Sequence, residues 1–442
     1  MALEQERFSL EHTFGAWSTT DHPDSSLYAF QQNVKEQYFH RAEHYFDEAS
    51  GIALRAISSK EPGPRLYAGS PLRKEGLQSI HFTAADLALH LANQSLSDLD
   101  GQVYAFQQES QKPAQFVAVL PIKQGELSTF QLMDTPAPER HGHRGGFTIT
   151  QESPLVHVET AAWHMSIDTI HGGLRRLREC ATGHEWVDPH HQYGFGQLVH
   201  EFVVHPRGRE AIGNSMRFIA TGVATDAFVE RWPAVPVFER FSVIMMEDLL
   251  TTTGQVFDEI TLGGASAQSG RVQVSWRCYH ALPVIELVID WEKSWSDLPE
   301  AAYVAFPFAA PSGELALETG GAFFQPGSHE PGGQLPGTCS NYYTIQRAAQ
   351  VRTLGGAKGF WLPLDAPLVM TNEIDFNHWD TESWQWNGFL ASMPVNNYWF
   401  TNFPVNQRGR LRLRYRFLSE RGFASAERAI EAAQPVEALG WR

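Results

Sequence analysis

Two adjacent asparagines, a tryptophan and a third asparagine crowd into a short stretch near the end of the chain, Met393-Pro-Val-Asn-Asn-Tyr-Trp-Phe-Thr-Asn402. An amide side chain donates and accepts hydrogen bonds at once, and an indole offers a flat apolar face. Asn396, Asn397, Trp399 and Asn402 therefore suit the recognition of a polyhydroxylated ring. The same residues also suit an Asn-rich turn before an edge strand. A few residues on, Gln407-Arg-Gly-Arg-Leu-Arg-Leu-Arg-Tyr415 alternates arginine with apolar residues, the period of a strand with one wet and one dry face.

A second stretch, Asn372 to Asn387, is acidic and amide-rich and carries three tryptophans. Asp380 and Trp384 are its candidates for lining a sugar cleft beside the Asn396 loop; a long surface loop pinned to a core by its tryptophans fits equally well. Carboxylates abound, including Asp290, Glu292, Asp365, Glu373, Asp375 and Asp380, yet none stands in a spacing that singles out a catalytic pair. Asp290 and Glu292 share one strand face beside Lys293 and read as a surface pair. The catalytic residues stay unassigned. His157, His164, His200, His280 and His378 are available as bases for a sandwich enzyme such as a lyase or epimerase. His141 and His143 lie in a Gly-rich stretch with no third ligand nearby and read as solvated.

Composition bounds the partners. The chain has 442 residues, 34 basic against 50 acidic, a formal net charge of −16. That balance argues against a nucleic-acid partner, which needs a basic footprint. Cys180, Cys278 and Cys339 lie far apart, which allows one disulfide and no framework. The first residues have neither a basic n-region nor an apolar h-region, and no run is long enough to cross a bilayer, so a cytoplasmic location without membrane contact is expected.

The elements that must position these residues are mostly strands. Leu27 to Ile57 lacks proline, and Leu27, Phe30, Val34, Tyr38, Ala42, Tyr45, Phe46 and Ala49 form an apolar helical stripe. That stripe calls for a bundle completed by other residues or another chain. Pro62 to Gly76 reads as a linker and Thr83 to Ala92 as a second, Thr83-capped helix. From 147 to 418 the pattern is β almost throughout, and a short helix over 425–433 comes after it. The expected organisation is a helical segment over 1–60, a small mixed α/β region over 61–146, a large antiparallel sandwich over 147–420 and a tail over 421–442. The fold class is mainly β.

Several stretches carry a resemblance to a known family. Thr182-Gly-His-Glu-Trp-Val-Asp188 followed by Tyr193-Gly-Phe-Gly-Gln197 resembles the start of the C-terminal β domain of glycoside hydrolase family 38, the α-mannosidases. His280 to Trp291 with Leu298 to Phe308 is similar to that family's central sheet. Asn396-Asn-Tyr-Trp-Phe-Thr-Asn402 with Gln407 to Tyr415 resembles its closing signature. Glu11-His-Thr-Phe-Gly-Ala-Trp17 and the helix after it look like the start of the helical middle domain.

The resemblance implies a galactose-mutarotase-like super-sandwich and a role in retaining α-mannoside hydrolysis, which uses two carboxyls about 5 to 5.5 Å apart. It also implies zinc in the complete enzyme, with His12 in a place resembling the last histidine ligand. The family's N-terminal α/β domain, source of its nucleophile, has no counterpart in this sequence. The implied partners are carbohydrate and either a separate catalytic α/β subunit or further copies of the chain. A stand-alone carbohydrate-binding sandwich is the alternative.

Overall fold

The computed structural model describes residues 2–10, 25–57, 63–69, 75–84, 93–109, 112–138, 148–204, 237–296, 300–331, 333–375, 384–397 and 407–441. The proline-free run folds as one long helix, α2 (Ser26–Ala56), after a short α1 (Ala2–Leu10). Ser25 starts α2: its Oγ accepts from the Tyr28 amide at 3.2 Å, satisfying one of the orphan donors of the first turn. α1 packs along it through Phe8 and Tyr38, with ring centroids 5.6 Å apart. Of the apolar stripe, Ala42 is buried, whereas Leu27, Phe30 and Phe46 are exposed.

Two β bodies follow. The smaller is a sandwich of a five-stranded and a four-stranded sheet, closed around Leu66, Ile80, Phe82, Leu96, Phe116, Leu120 and Phe130. Thr83, the expected cap of a second helix, ends the strand Gly76–Thr83, and residues 85–92 lie outside the described residues. The last residues of the chain return to this body. Val436–Glu437 pairs in parallel with Ile80 and His81, and Gly440–Trp441 pairs with Leu66 and Tyr67. The intervening helix α3 (Ala426–Ala433), capped by Ser425, buries Ala429, Ile430 and Ala433 between the two bodies, against Val117 and Val119 of the smaller and Phe257, Tyr279 and Leu418 of the larger.

The larger body is antiparallel: a six-stranded and a nine-stranded sheet, with a four-stranded sheet over residues 148–179 beside them. Trp186, Trp276, Trp291, Trp361, Phe195, Phe306, Tyr415 and Phe417 fill the space between. Burying side chains of this size contributes about 1.5–3 kcal/mol each. The 13 tryptophans thus serve the core heavily: Trp186, Trp276, Trp291, Trp361 and Trp386 are among the largest fully buried side chains. Gly196 shows how tight the packing is. Its φ of 82° is the left-handed region, and a Cβ there would meet Trp276 and Leu287 at 2.7 Å.

The arginine alternation resolves as expected for one dry and one wet face. In the strand Gly409–Ser419, Leu413, Tyr415 and Phe417 enter the core, and Arg412, Arg414 and Arg416 point outward. Its neighbour Ile285–Lys293 brings acids into register, with Glu286 opposite Arg416, Asp290 opposite Arg412 and Glu292 opposite Arg410. The small sandwich sits over the Arg416 end of this outer face, where Ser79 accepts from Arg416 at 2.7 Å.

Candidate functional site

The Asn396–Asn397 pair sits at the end of the strand Phe389–Asn396, in the six-stranded sheet. Across the adjacent strands Gln197–Val204 and Glu300–Pro307, Glu201 lies opposite Ala301, and Ala301 lies opposite Asn396. Opposed residues in antiparallel strands share a face, so the carboxylate and the amide stand on one face roughly 10 Å apart with an alanine between them. The rest of this outer face is Val199, Tyr303, Ala305, Met370, Phe389, Ala391 and Met393, with Tyr193 packed against them. His191 stacks on Phe389, centroids 4.8 Å apart.

Glu201 is fully buried and fixed at both oxygens. Tyr303 donates to Oε1 at 3.0 Å and Arg240 Nε to Oε2 at 2.5 Å. A carboxylate held in this way orders the face and accepts hydrogen bonds.

On the opposite face of the same strands lies a buried charge cluster centred on Glu300. His200 Nε2 is 2.8 Å from Glu300 Oε2, Lys293 Nζ bonds Oε1, and the Ser269 hydroxyl is 3.0 Å from His200 Nδ1. Burial drives the His200 pKa below its ordinary value, and the adjacent Lys293 charge adds to this; the opposing pull of Glu300 does not compensate. A neutral ring donating from Nε2 to Glu300 and accepting the serine proton on Nδ1 satisfies every partner. Asn397 caps the cluster: its backbone amide donates to the Glu300 carbonyl at 2.8 Å and its Nδ2 to Glu300 Oε1 at 3.3 Å. The start of the Asn loop is therefore anchored on a buried carboxylate.

The sequence candidates do not converge. Trp384 packs on the sandwich core, its Nε1 donating to Thr371 Oγ1 at 3.3 Å, and Thr371 pairs with Leu390 at the first end of the strand whose last end carries Asn396. Eight residues at roughly 3.3 Å each put about 20–25 Å between those ends. Asp290 faces Arg412 at 3.9 Å and Glu292 is exposed. Asp380, Trp399, Asn402, His12, His141, His143 and His378 lie outside the described residues. Among the described residues, no three His, Cys, Asp or Glu side chains gather as metal ligands. Of the candidate bases, His157 bonds Ser166 at 2.8 Å, His164 pairs with Glu159 at 3.3 Å and His280 with Asp258 at 3.2 Å. No disulfide joins Cys180, Cys278 and Cys339.

Glu201 and Glu300 are not singled out by sequence pattern. The signal that could have found the first is the polar pair His200-Glu201 in the middle of the apolar stretch Leu198 to Val204.

The fold is similar to that of an α-mannosidase from Enterococcus faecalis V583, with 11% identity, a TM-score of 0.50, and coverage of 93% of this chain and 49% of that chain. A glycosyl hydrolase family 38 protein from Enterococcus faecalis matches at 10% identity and TM-score 0.50, over 93% of this chain and 51% of that one. A galactose mutarotase-like protein from Lactobacillus casei ATCC 334 aligns at 9% identity and TM-score 0.32, over 60% of this chain and 99% of that chain. No family model matches the sequence, and no curated protein matches it. The chain thus spans about half the length of the two Enterococcus structures. Among the described residues no helix is long and apolar enough to cross a membrane.

Proposed function

We propose that this chain is the helical and β-sandwich part of an α-mannosidase-like glycoside hydrolase, acting in carbohydrate metabolism from the cytoplasm. Its work is to support a catalytic α/β domain or subunit and to lend the Asn396, Asn397, Trp399 and Asn402 loop to glycan binding. The observation that carries this reading is the asymmetry of the structural match, 93% of this chain against 49% of the α-mannosidase. Leu27, Phe30, Phe39, Phe46 and Ile52, exposed on α2, supply an apolar surface of the kind a partner domain covers. The Glu300 cluster anchors Asn397, the described start of that loop. His12 would contribute to zinc binding in the assembled enzyme.

The test is an assay of the purified chain on aryl α-mannosides, with and without zinc. No turnover is expected from the chain alone; supplying a catalytic α/β subunit restores it, and Phe30→Ser with Phe46→Ser weakens that complex. Robust zinc-dependent turnover by the isolated chain would overturn the reading. The alternative is a stand-alone carbohydrate-binding role for the same Asn396 loop. Glycan binding by the isolated chain, abolished by Trp399→Ala and Asn397→Ala, would support it.

A further inference from the structure

Away from the Asn loop, a cleft of about 190 Å³ opens between the small sandwich and the arginine face of the nine-stranded sheet, walled by His81, Glu109, Gln115, Asp365, Arg412 and Arg414. We propose that it is a binding site for one neutral saccharide unit. The proposal rests on these residues alone and is independent of whether the chain belongs to a hydrolase.

The hydrogen bonding around the cleft is incomplete in a specific way. His81 is only 5% exposed, and its Nδ1 lies 3.2 Å from Glu109 Oε1. With the ring proton on Nδ1, facing the carboxylate, Nε2 presents a lone pair, and this atom has no hydrogen-bond partner among the described residues. Arg412 binds Glu109 through Nη2, and its Nη1, 3.9 Å from Asp290 Oδ1, is likewise buried without a hydrogen-bond partner among them. Buried polar atoms are nearly always paired, so an acceptor and a donor left over beside one cleft mark what a ligand would complete. A polyol offers both, a hydroxyl proton for His81 and a hydroxyl oxygen for Arg412.

Charge narrows the class further. The lining carries three carboxylates, Glu109, Asp365 and Glu437, against two guanidiniums, Arg412 and Arg414. Arg414 is already held by Asp365 through bonds of 3.0 and 2.9 Å. Arg412 is likewise held by Glu109, so both guanidiniums of the lining are already matched by carboxylates and Glu437 adds a further negative charge. An added anion gains no unmatched cation there, a cation would meet the two arginines, and a neutral polyol can use both signs. The cleft's volume of about 190 Å³ is many times what a single water needs, so it has room for more than one polar group of a ligand.

The test is calorimetry and saturation-transfer NMR on the full chain, with methyl α-mannoside and methyl α-glucoside as neutral probes and inorganic phosphate and acetate as anionic ones. At least one glycoside should bind. Gln115→Trp, which fills the cleft and removes no charge, should abolish that binding while leaving the thermal midpoint unchanged. Arg412→Met should weaken it at least about tenfold, the scale of one charge-assisted hydrogen bond. Failure of both glycosides to bind, binding that survives Gln115→Trp, or binding of phosphate or acetate alone would each overturn the proposal.

Discussion

The strand Gly409–Ser419 carries the same alternation from end to end, yet its two ends live in different surroundings. At one end Arg416 is 1% exposed and donates to Glu286 at 2.5 Å, Ser79 at 2.7 Å, Ala433 O at 2.8 Å and the Tyr279 hydroxyl at 2.9 Å. The row continues through Arg277, fully buried between Glu286 and Glu259. At the other end Arg410 is exposed, opposite an exposed Glu292. The cover decides the difference: the small sandwich and α3 seal the first row and leave the last in water. Identical pairs of residue types therefore act as a structural joint at one end and as a solvated surface at the other, with the Arg412 cleft at the boundary.

The largest effect should come from breaking the sealed row. Arg416→Leu strands Glu286 in a dry interface and should cost about 3–5 kcal/mol, the scale for removing one partner of a buried pair. Urea unfolding reads this directly. An Arg416→Leu variant no less stable than wild type would erase the distinction between the two ends.

Acid should act on the same row next. Burial pushes the Glu286 carboxyl up, but Arg416 and Arg277 outweigh it and hold the pKa at about 2, against 4.5 in a free chain. The unfolded chain takes up this proton first, so the stabilisation is complete above pH 4.5 and is lost as pH falls from there towards 2. Glu109 is held low in the same direction: burial raises it, and the His81 hydrogen bond with Arg277 and Arg412 overcomes that. His200 adds an earlier loss, because its depressed pKa means the unfolded chain binds its proton first as pH falls below 6.5. Urea midpoints measured from pH 8 to pH 3 should fall monotonically in these two windows, and Glu286→Gln should flatten the lower one. A midpoint that rises on acidification would contradict the assignment.

A smaller effect should follow from loosening the cover. Ser425 Oγ accepts from the Arg428 amide at 3.3 Å and starts α3, whose Ala433 carbonyl receives Arg416. Ser425→Ala should cost about 1 kcal/mol by the usual scale of N-cap loss. Thermal denaturation should show it alone and show less than additivity with Arg416→Leu, since the two share one joint.

Local rules carried much of this fold. Arginine alternation announced a strand with one wet face, and absence of proline announced α2 to within a residue at each end. The partners were illegible because they are distant in sequence: Glu201 meets Tyr303 and His200 meets Glu300 across about a hundred positions. For the same reason Trp384 and Asn397, grouped by sequence into one cleft, proved to flank opposite ends of one strand. Nor does period two say which wet face a second body will cover, so the arginines looked alike.

The smallest effect is the sharpest control on the comparison. Arg410 differs from Arg416 in neither residue type, strand nor facing acid, only in what lies above it. Its charge stays hydrated in both the folded and unfolded chain, and exposed pairs gain little because water screens them. Arg410→Leu should therefore change stability by no more than about 0.5 kcal/mol, in urea unfolding run beside Arg416→Leu. A loss of several kcal/mol would mean that Arg410 is also covered in solution, by a partner or a second copy of the chain; diluting the protein would then reduce the loss, because a cover supplied by another molecule depends on concentration.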